Sequence, residues 1–362
     1  MIPARISHLL LFALSCTLLP LAGCMYSPLA AHYKGPPQRP AELEQYYAKG
    51  SYSDFTEKVT RVDQDFSVRR LQINTSGGLI TIDYYQRPKQ SENLIFVFPL
   101  LGGKNIVADH FADYFAHRGY DTAIVHRVND FKDPKNFDKL EEIMRQGIVR
   151  DRIALDFFEQ QYGKKKFGSF GISRGAINVA MTAGVDPRLK YNVMAMGGTD
   201  IVRILKKSDQ PGIKKYRDRV MAEEHITSDE FYTRLKDQIR TDPKQLASYV
   251  NARNALLFFG IFDKTVPFKY GRKLRKQIGQ PRTIYLLAGH YTSVLYTQFV
   301  RLVPPVQNSF YPSFAAFPMD YVERESLAFY DARFKHRRFN PMIALYRALQ
   351  FPVNVVGWAL GI

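Results

Sequence analysis

Cysteine is nearly absent from this chain. Of 362 residues only Cys16 and Cys24 are cysteines, and none follows them. Residues 25–362 therefore offer no disulfide, no zinc–thiolate site and no catalytic thiol, so a domain built from them must rely on its core. His, Asp and Cys do not cluster in metal-ligand patterns either, and no metal or other cofactor is expected. Long apolar runs are scarce. Ile6 to Pro20 falls short of the roughly 20 residues a spanning helix needs. The apolar end, Phe351 to Ile362, contains Pro352 with Arg347 just upstream, and does not read as a span. Acidic residues number 34 against 51 basic ones, a formal net charge of +17. Such a balance raises nucleic acid or an anionic membrane as partners. No helix-turn-helix, zinc-finger or RNA-binding signature accompanies the charge, so nucleic acid is not expected and most of the basic residues read as solvated surface.

What is present suits a globular protein: 46% hydrophobic and 23% charged residues, in a chain long enough to bury a sizeable core. The organising stretch is Phe167-Gly168-Ser169-Phe170-Gly171-Ile172-Ser173-Arg174-Gly175-Ala176, an apolar run ending in Gly-x-Ser-x-Gly with a helix-forming segment directly after it. This pattern reads as a nucleophile elbow, in which Ser173 sits on a sharp strand-to-helix turn and its flanking glycines let neighbouring backbone pack close. Taken alone, it also fits a glycine-rich turn with a helix-capping serine. Two downstream positions supply context. Asp263 follows the apolar run Asn254 to Phe262, and His290 follows Thr283 to Leu287 through Ala288-Gly289.

Serine, aspartate and histidine in this chain order, each after a strand-like run, resemble the α/β-hydrolase superfamily from about Phe66 to Val303. The resemblance implies a mostly parallel central sheet flanked by helices. It implies nucleophilic attack by Ser173, proton transfer by His290 and orientation of the imidazole by Asp263. Backbone amides of Leu101 and Arg174 would form the oxyanion hole. Pro99 and Leu100 stand where the family carries a His-Gly motif, and Gly102 and Gly103 keep that turn flexible. Some members place the acid after the sixth strand, which makes Asp200 the rival of Asp263.

The surrounding pattern fits that plan. A hairpin is expected from Phe66–Ile73 and Leu79–Tyr85, then a buried strand at Leu94–Pro99, a helix over Ile106–His117 and a strand over Asp121–His126. A long helix over Phe137–Tyr162 precedes the elbow, and a buried strand over Tyr191–Met196 follows it. Between about 200 and 253 the chain is charged, helical and strand-free, with a capping box at Thr227-Ser228-Asp229-Glu230 and an N-cap at Asp242-Pro243. This segment reads as a helical cap, or else as surface connector helices. His110 and His117 fall on an expected helix and read as surface or core residues; His126 ends a strand, where a place on the site rim is open. Arg174 reads as a solvated or ion-paired elbow residue, with attraction of an acidic substrate group as the alternative.

At the N-terminus, Arg5, the apolar run and Leu21-Ala22-Gly23-Cys24 resemble a bacterial lipoprotein signal, with residues 1–23 removed and Cys24 lipidated. Met25 after the cysteine leans towards the outer membrane, facing the periplasm, where the host has one. Residues 24–65 read as an extended tether with a helix over Ala41–Ala48, and 304–362 as an aromatic and basic extension that either packs on the body or meets a membrane surface. The expected activity is cleavage of a small-molecule or lipid ester through an acyl-enzyme. Thioester cleavage, acyl transfer, or a non-catalytic lipoprotein that binds lipid or an envelope partner are the alternatives.

Overall fold

A computed structural model of the chain describes residues 26–89, 91–100, 105–127, 130–298 and 320–338. The sequence readings at Cys24, Leu101–Lys104, the aromatic residues between 304 and 319, and 339–362 lie outside the described residues.

Strand and helix order follows the apolar pattern. The chain begins with β1 (Tyr26–Ser27), α1 (Ala41–Tyr46), β2 (Tyr52–Val62), β3 (Ser67–Thr75), β4 (Gly78–Gln86) and β5 (Asn93–Phe98). Next come α2 (Ile106–His117), β6 (Asp121–Val125), α3 (Leu140–Tyr162), β7 (Lys166–Ile172), α4 (Arg174–Val185) and β8 (Leu189–Ala195). A helical stretch follows: α5 (Ile201–Lys207), α6 (Pro211–Glu223), α7 (Ser228–Gln238) and α8 (Pro243–Leu246). The chain then returns through β9 (Ala255–Gly260), α9 (Phe268–Ile278), β10 (Arg282–Leu286) and α10 (Tyr321–Phe334).

The strands form one ten-stranded sheet in the order β1-β10-β9-β8-β7-β5-β6-β4-β3-β2. Strands β5 to β10 run parallel, while β1 and the β2-β3-β4 meander are antiparallel to their neighbours. Side chains alternate across a strand, so β5 feeds both layers. Leu94, Phe96 and Phe98 join the core under α3, α4 and α9, and Ile95 and Val97 join the core under α2 and α10. Covering both faces is what makes these strands near-continuous apolar runs. Between β5 and β7 the strand order reverses, and the crevice at the carboxyl ends of such a pair is where open α/β sheets place their ligands.

Three sequence readings are corrected. Residues 26–62 are no tether: β1 pairs with β10, Tyr47 is buried, and β2 is a full edge strand on β3. The Arg39 guanidinium locks this segment down by donating to the carbonyls of Gly184, Ala183 and Tyr249 at 2.8–3.1 Å. Second, the body does not end at 303. Helix α10 packs through Phe329, Tyr330 and Phe334 into the layer of Phe115 and Phe170. Third, the strand-free segment has two parts. Helices α5 to α7 share a cluster with Phe137 and Leu140, built on Val202, Val220, Phe231, Leu235 and Ile239. Ala247, Val250 and Ala252 instead belong to the core of the sheet, so 243–254 is part of the body.

No helix among the described residues is long and apolar enough to cross a membrane.

Candidate active site

Strand β7 delivers Ser173 to the carboxyl end of the sheet, beside the end of β5. The turn is tight: Ser173 has φ 56° and ψ −120°, a region costing about 1–3 kcal/mol for a residue with a Cβ. Its own N–H donates to the Ala195 carbonyl at 2.8 Å, which fixes the turn to β8. The two glycines permit the geometry. A Cβ on Gly171 would collide with the backbone of Gly175, and a Cβ on Gly175 with the Phe98 carbonyl.

Loops after β9 and β10 bring the other two residues to the serine. His290 Nε2 lies 2.9 Å from Ser173 Oγ, and His290 Nδ1 lies 2.8 Å from Asp263 Oδ2. An ionised carboxylate can only accept, so Nδ1–H donates to Asp263 and Nε2 is left to accept the serine proton. The other carboxylate oxygen, Oδ1, accepts the Val266 N–H at 2.9 Å, which holds the carboxylate in its plane. The histidine loop is braced by Ser293 Oγ donating to the His290 carbonyl at 2.7 Å, and by Gly289 N–H donating to Thr292 Oγ1 at 2.8 Å. These braces lie outside any motif; a hydroxyl two or three residues from a loop histidine is common enough to carry no signal. Asp263 and the imidazole are nearly enclosed, with side-chain exposures of 3% and 11%. Outside them stand two exposed rings, Phe262 and Tyr291.

Asp200 does not meet His290. It adopts φ 69° at the start of α5, and its Oδ2 faces Arg203 Nε at 3.3 Å and Lys273 Nζ at 3.7 Å. The three other histidines weighed from the sequence are engaged elsewhere: His110 with Glu323 at 2.8 Å, His117 with Asp65 at 2.8 Å and His126 with Asp83 at 3.0 Å. Burial raises the Glu323 carboxyl above the usual range, against the opposing hydrogen bond and charge of His110. Among the described residues one surface group could hold an ion, Asp63, Asp65 and His117, with ligand atoms within 4.8 Å of one another. It sits at the β2–β3 turn and the end of α2, and local spacing could not reveal it because His117 comes from a distant segment.

Arg174 opens α4, so its N–H is one of the free amides at a helix N-terminus, aimed where negative charge is favoured. The expected second donor, Leu101, lies outside the described residues. The Arg174 side chain is half-buried and stacks on Phe131, its guanidinium carbon 3.8 Å from the ring centre. Burial, then the nearby Arg127 charge, presses its pKa down to about 10, which leaves it cationic at neutral pH. The arrangement can polarise a serine hydroxyl, orient the base, and offer an amide to a developing oxyanion.

Among solved structures, acetyl xylan esterase 1 from Thermoanaerobacterium sp. JW/SL YS485 is similar at 16% identity and a TM-score of 0.52, over 73% of this chain and 94% of that one. An acetyl xylan esterase from Paenibacillus sp. R4 is similar at 15% identity and a TM-score of 0.54, over 75% and 93%. At such identity the likeness is one of fold. No protein-family model matches the chain, and no curated protein does. With the sheet order, the flanking helices and these neighbours together, the chain has the α/β-hydrolase fold.

Proposed function

We propose that this protein is a serine hydrolase that cleaves carboxylic esters through an acyl-enzyme. The observation that carries the reading is the continuous relay Asp263–His290–Ser173, with contacts of 2.8 and 2.9 Å at the carboxyl end of the sheet. Ser173 Oγ attacks the ester carbonyl as its proton passes to His290 Nε2. The carbonyl oxygen becomes an oxyanion, stabilised by the Arg174 N–H and, by the family resemblance, that of Leu101. The alcohol leaves with the proton from His290, and the acyl group stays on Ser173. A water then gives its proton to His290, attacks the acyl carbon and restores the serine. Asp263 keeps the proton on Nδ1 and stabilises the imidazolium without taking the proton itself.

Exposed Phe262 and Tyr291, next in sequence to the acid and the base, offer apolar surface to an entering ester. Helices α5 to α7 act as a cap in this reading, tied to the acid loop by Thr265 Oγ1 donating to Asp209 Oδ1 at 3.1 Å. The N-terminal segment makes the enzyme a lipid-anchored envelope protein; the support is the Leu21-Ala22-Gly23-Cys24 sequence.

The test is turnover of p-nitrophenyl esters of graded acyl length by the wild-type chain and by Ser173→Ala. The reading expects saturable hydrolysis that falls by about 10³-fold or more in the variant. Equal rates in both would sink it.

A further inference from the structure

Beside the elbow lies a cavity of about 360 Å³, bounded by α4, the first half of α3 and the segment that follows β6. Leu100 and Arg174 line it, whereas Ser173 is not among its lining residues. Three guanidiniums, Arg127, Arg150 and Arg174, reach this space, and one enclosed carboxylate, Asp151, faces them. That carboxylate is already engaged, accepting from Arg127 Nη2 at 2.7 Å and from Thr182 Oγ1 at 2.8 Å. Asp130, Glu142 and Lys139 complete the charges, all at exposed positions of the lining.

Among the described residues, neither of the other two guanidiniums is bonded to a carboxylate. Arg150 donates to the Leu79 carbonyl at 2.7 Å, a neutral partner. Arg174 rests on the face of Phe131, and among the described residues no carboxylate, carbonyl or hydroxyl accepts from it. Taking a cation partly out of water without a bonded acid is costly, and the proximity of Arg127 adds like-charge repulsion, which at Arg150 the charges of Asp151 and Asp130 offset only in part. The contact with Phe131 holds the guanidinium in place, and its fork of donors suits a planar, two-oxygen partner.

We infer that the cavity takes a carboxylate carried by the ester substrate, with Arg174 as its main partner and Arg150 adding charge. The inference rests on ester cleavage at Ser173 as proposed above, and it names the substrate class: esters that bear a second, anionic end. Arg174 then has two separable parts, its backbone N–H serving the oxyanion and its side chain serving the substrate's charge.

Two matched pairs of esters test this. One pair carries the charge on the acyl side, p-nitrophenyl hemiglutarate against p-nitrophenyl pentanoate. The other carries it on the leaving group, p-carboxyphenyl acetate against its methyl-ester-capped counterpart. In one pair the wild-type chain is expected to favour the charged member in kcat/KM by about tenfold or more. Arg174→Gln should lower that ratio by about the same factor, and Arg174→Lys should keep part of it. Using a ratio cancels any effect common to both esters, including damage to the oxyanion hole. A binding measurement independent of turnover is calorimetric titration of Ser173→Ala with monoethyl glutarate, with an affinity that the added Arg174→Gln change lowers about tenfold. Neutral preference in both pairs, or a ratio that Arg174→Gln does not move, would overturn the anion site, as would no binding of the half-ester where the acyl-side pair shows the preference. Arg174-dependent binding by a wild-type chain that hydrolyses no ester would uphold the anion site and refute ester cleavage.

Discussion

The Tyr330 hydroxyl donates a 2.6 Å hydrogen bond to the carbonyl of Ser169, on the strand that ends at Ser173. Both residues are fully buried, so the helix after the last strand braces the strand that presents the nucleophile candidate. Tyr330→Phe leaves that carbonyl without this donor and should lower stability by about 1–2 kcal/mol, read as a lower urea midpoint. An unchanged midpoint would mean that α10 is a passive appendage.

The elbow depends on Gly175. Ala at this position puts its Cβ against the Phe98 carbonyl, and backbone on both sides must shift. Gly175→Ala should lose about 1–3 kcal/mol and most of its reactivity towards a serine-directed probe. Gly163 provides the control: it closes α3 at φ 61° with nothing within 4 Å of an added Cβ. Gly163→Ala should cost about 1–2 kcal/mol of strain with reactivity retained. Equal reactivity of the two variants would contradict the close-packed elbow.

Much of this was legible in the sequence because buried parallel strands write themselves as unbroken apolar runs. Leu94 to Phe98 and Ala255 to Gly260 are bounded by turns and have two covered faces, so type and position could be read directly. Strand β2 could not be read this way. It is an edge strand exposed along nearly all its length, its apolar residues Phe55, Val59 and Val62 follow no two-residue period, and its register shifts twice against β3. Without a buried face there is no alternation to see. Helix α10 was hidden for a related reason: Glu323, Glu325 and Ser326 are buried along with its aromatics, so no clean polar face marks it. Ser173, Asp263 and His290 were legible as a set because each follows a strand. The Arg174 cavity was not, since it gathers side chains from segments far apart in the chain.

The two aspartates make opposite predictions. Asp263 contacts His290, and Asp263→Asn should lower kcat by about 10⁴-fold by favouring the wrong tautomer. Asp200 faces Arg203 and Lys273, and asparagine tolerates its left-handed backbone, so Asp200→Asn should stay within a few-fold of wild type. Steady-state kinetics of the two variants decide the matter, and the reverse ranking would move the acid to Asp200.

A pH dependence follows from Asp186. Burial alone would raise its carboxyl, but hydrogen bonds and charge from Arg188, with Arg152 behind, outweigh burial and hold it below the usual range. Arg188 reaches it at 2.7 and 2.9 Å, and Arg152 at 3.3 Å. Between the folded and unfolded values the folded chain holds fewer protons. The contribution to stability is therefore present above the unfolded value, about 3.9, and is lost as pH falls through the folded one. Asp186→Asn should flatten the acid limb of stability against pH, and Arg188→Met should shift acid unfolding to higher pH. Urea midpoints taken from about pH 7 down to about pH 3 give the readout, and an acid limb unmoved in both variants would contradict the linkage.

The central claim is that Ser173 is activated by His290. It is tested most directly by treating the folded chain, residues 25 onward, with a fluorophosphonate and locating the adduct by peptide mass spectrometry. A single adduct on Ser173, absent from Ser173→Ala and from His290→Ala, is the predicted result. A folded wild-type chain that takes no adduct, or labelling that survives in His290→Ala, would contradict it.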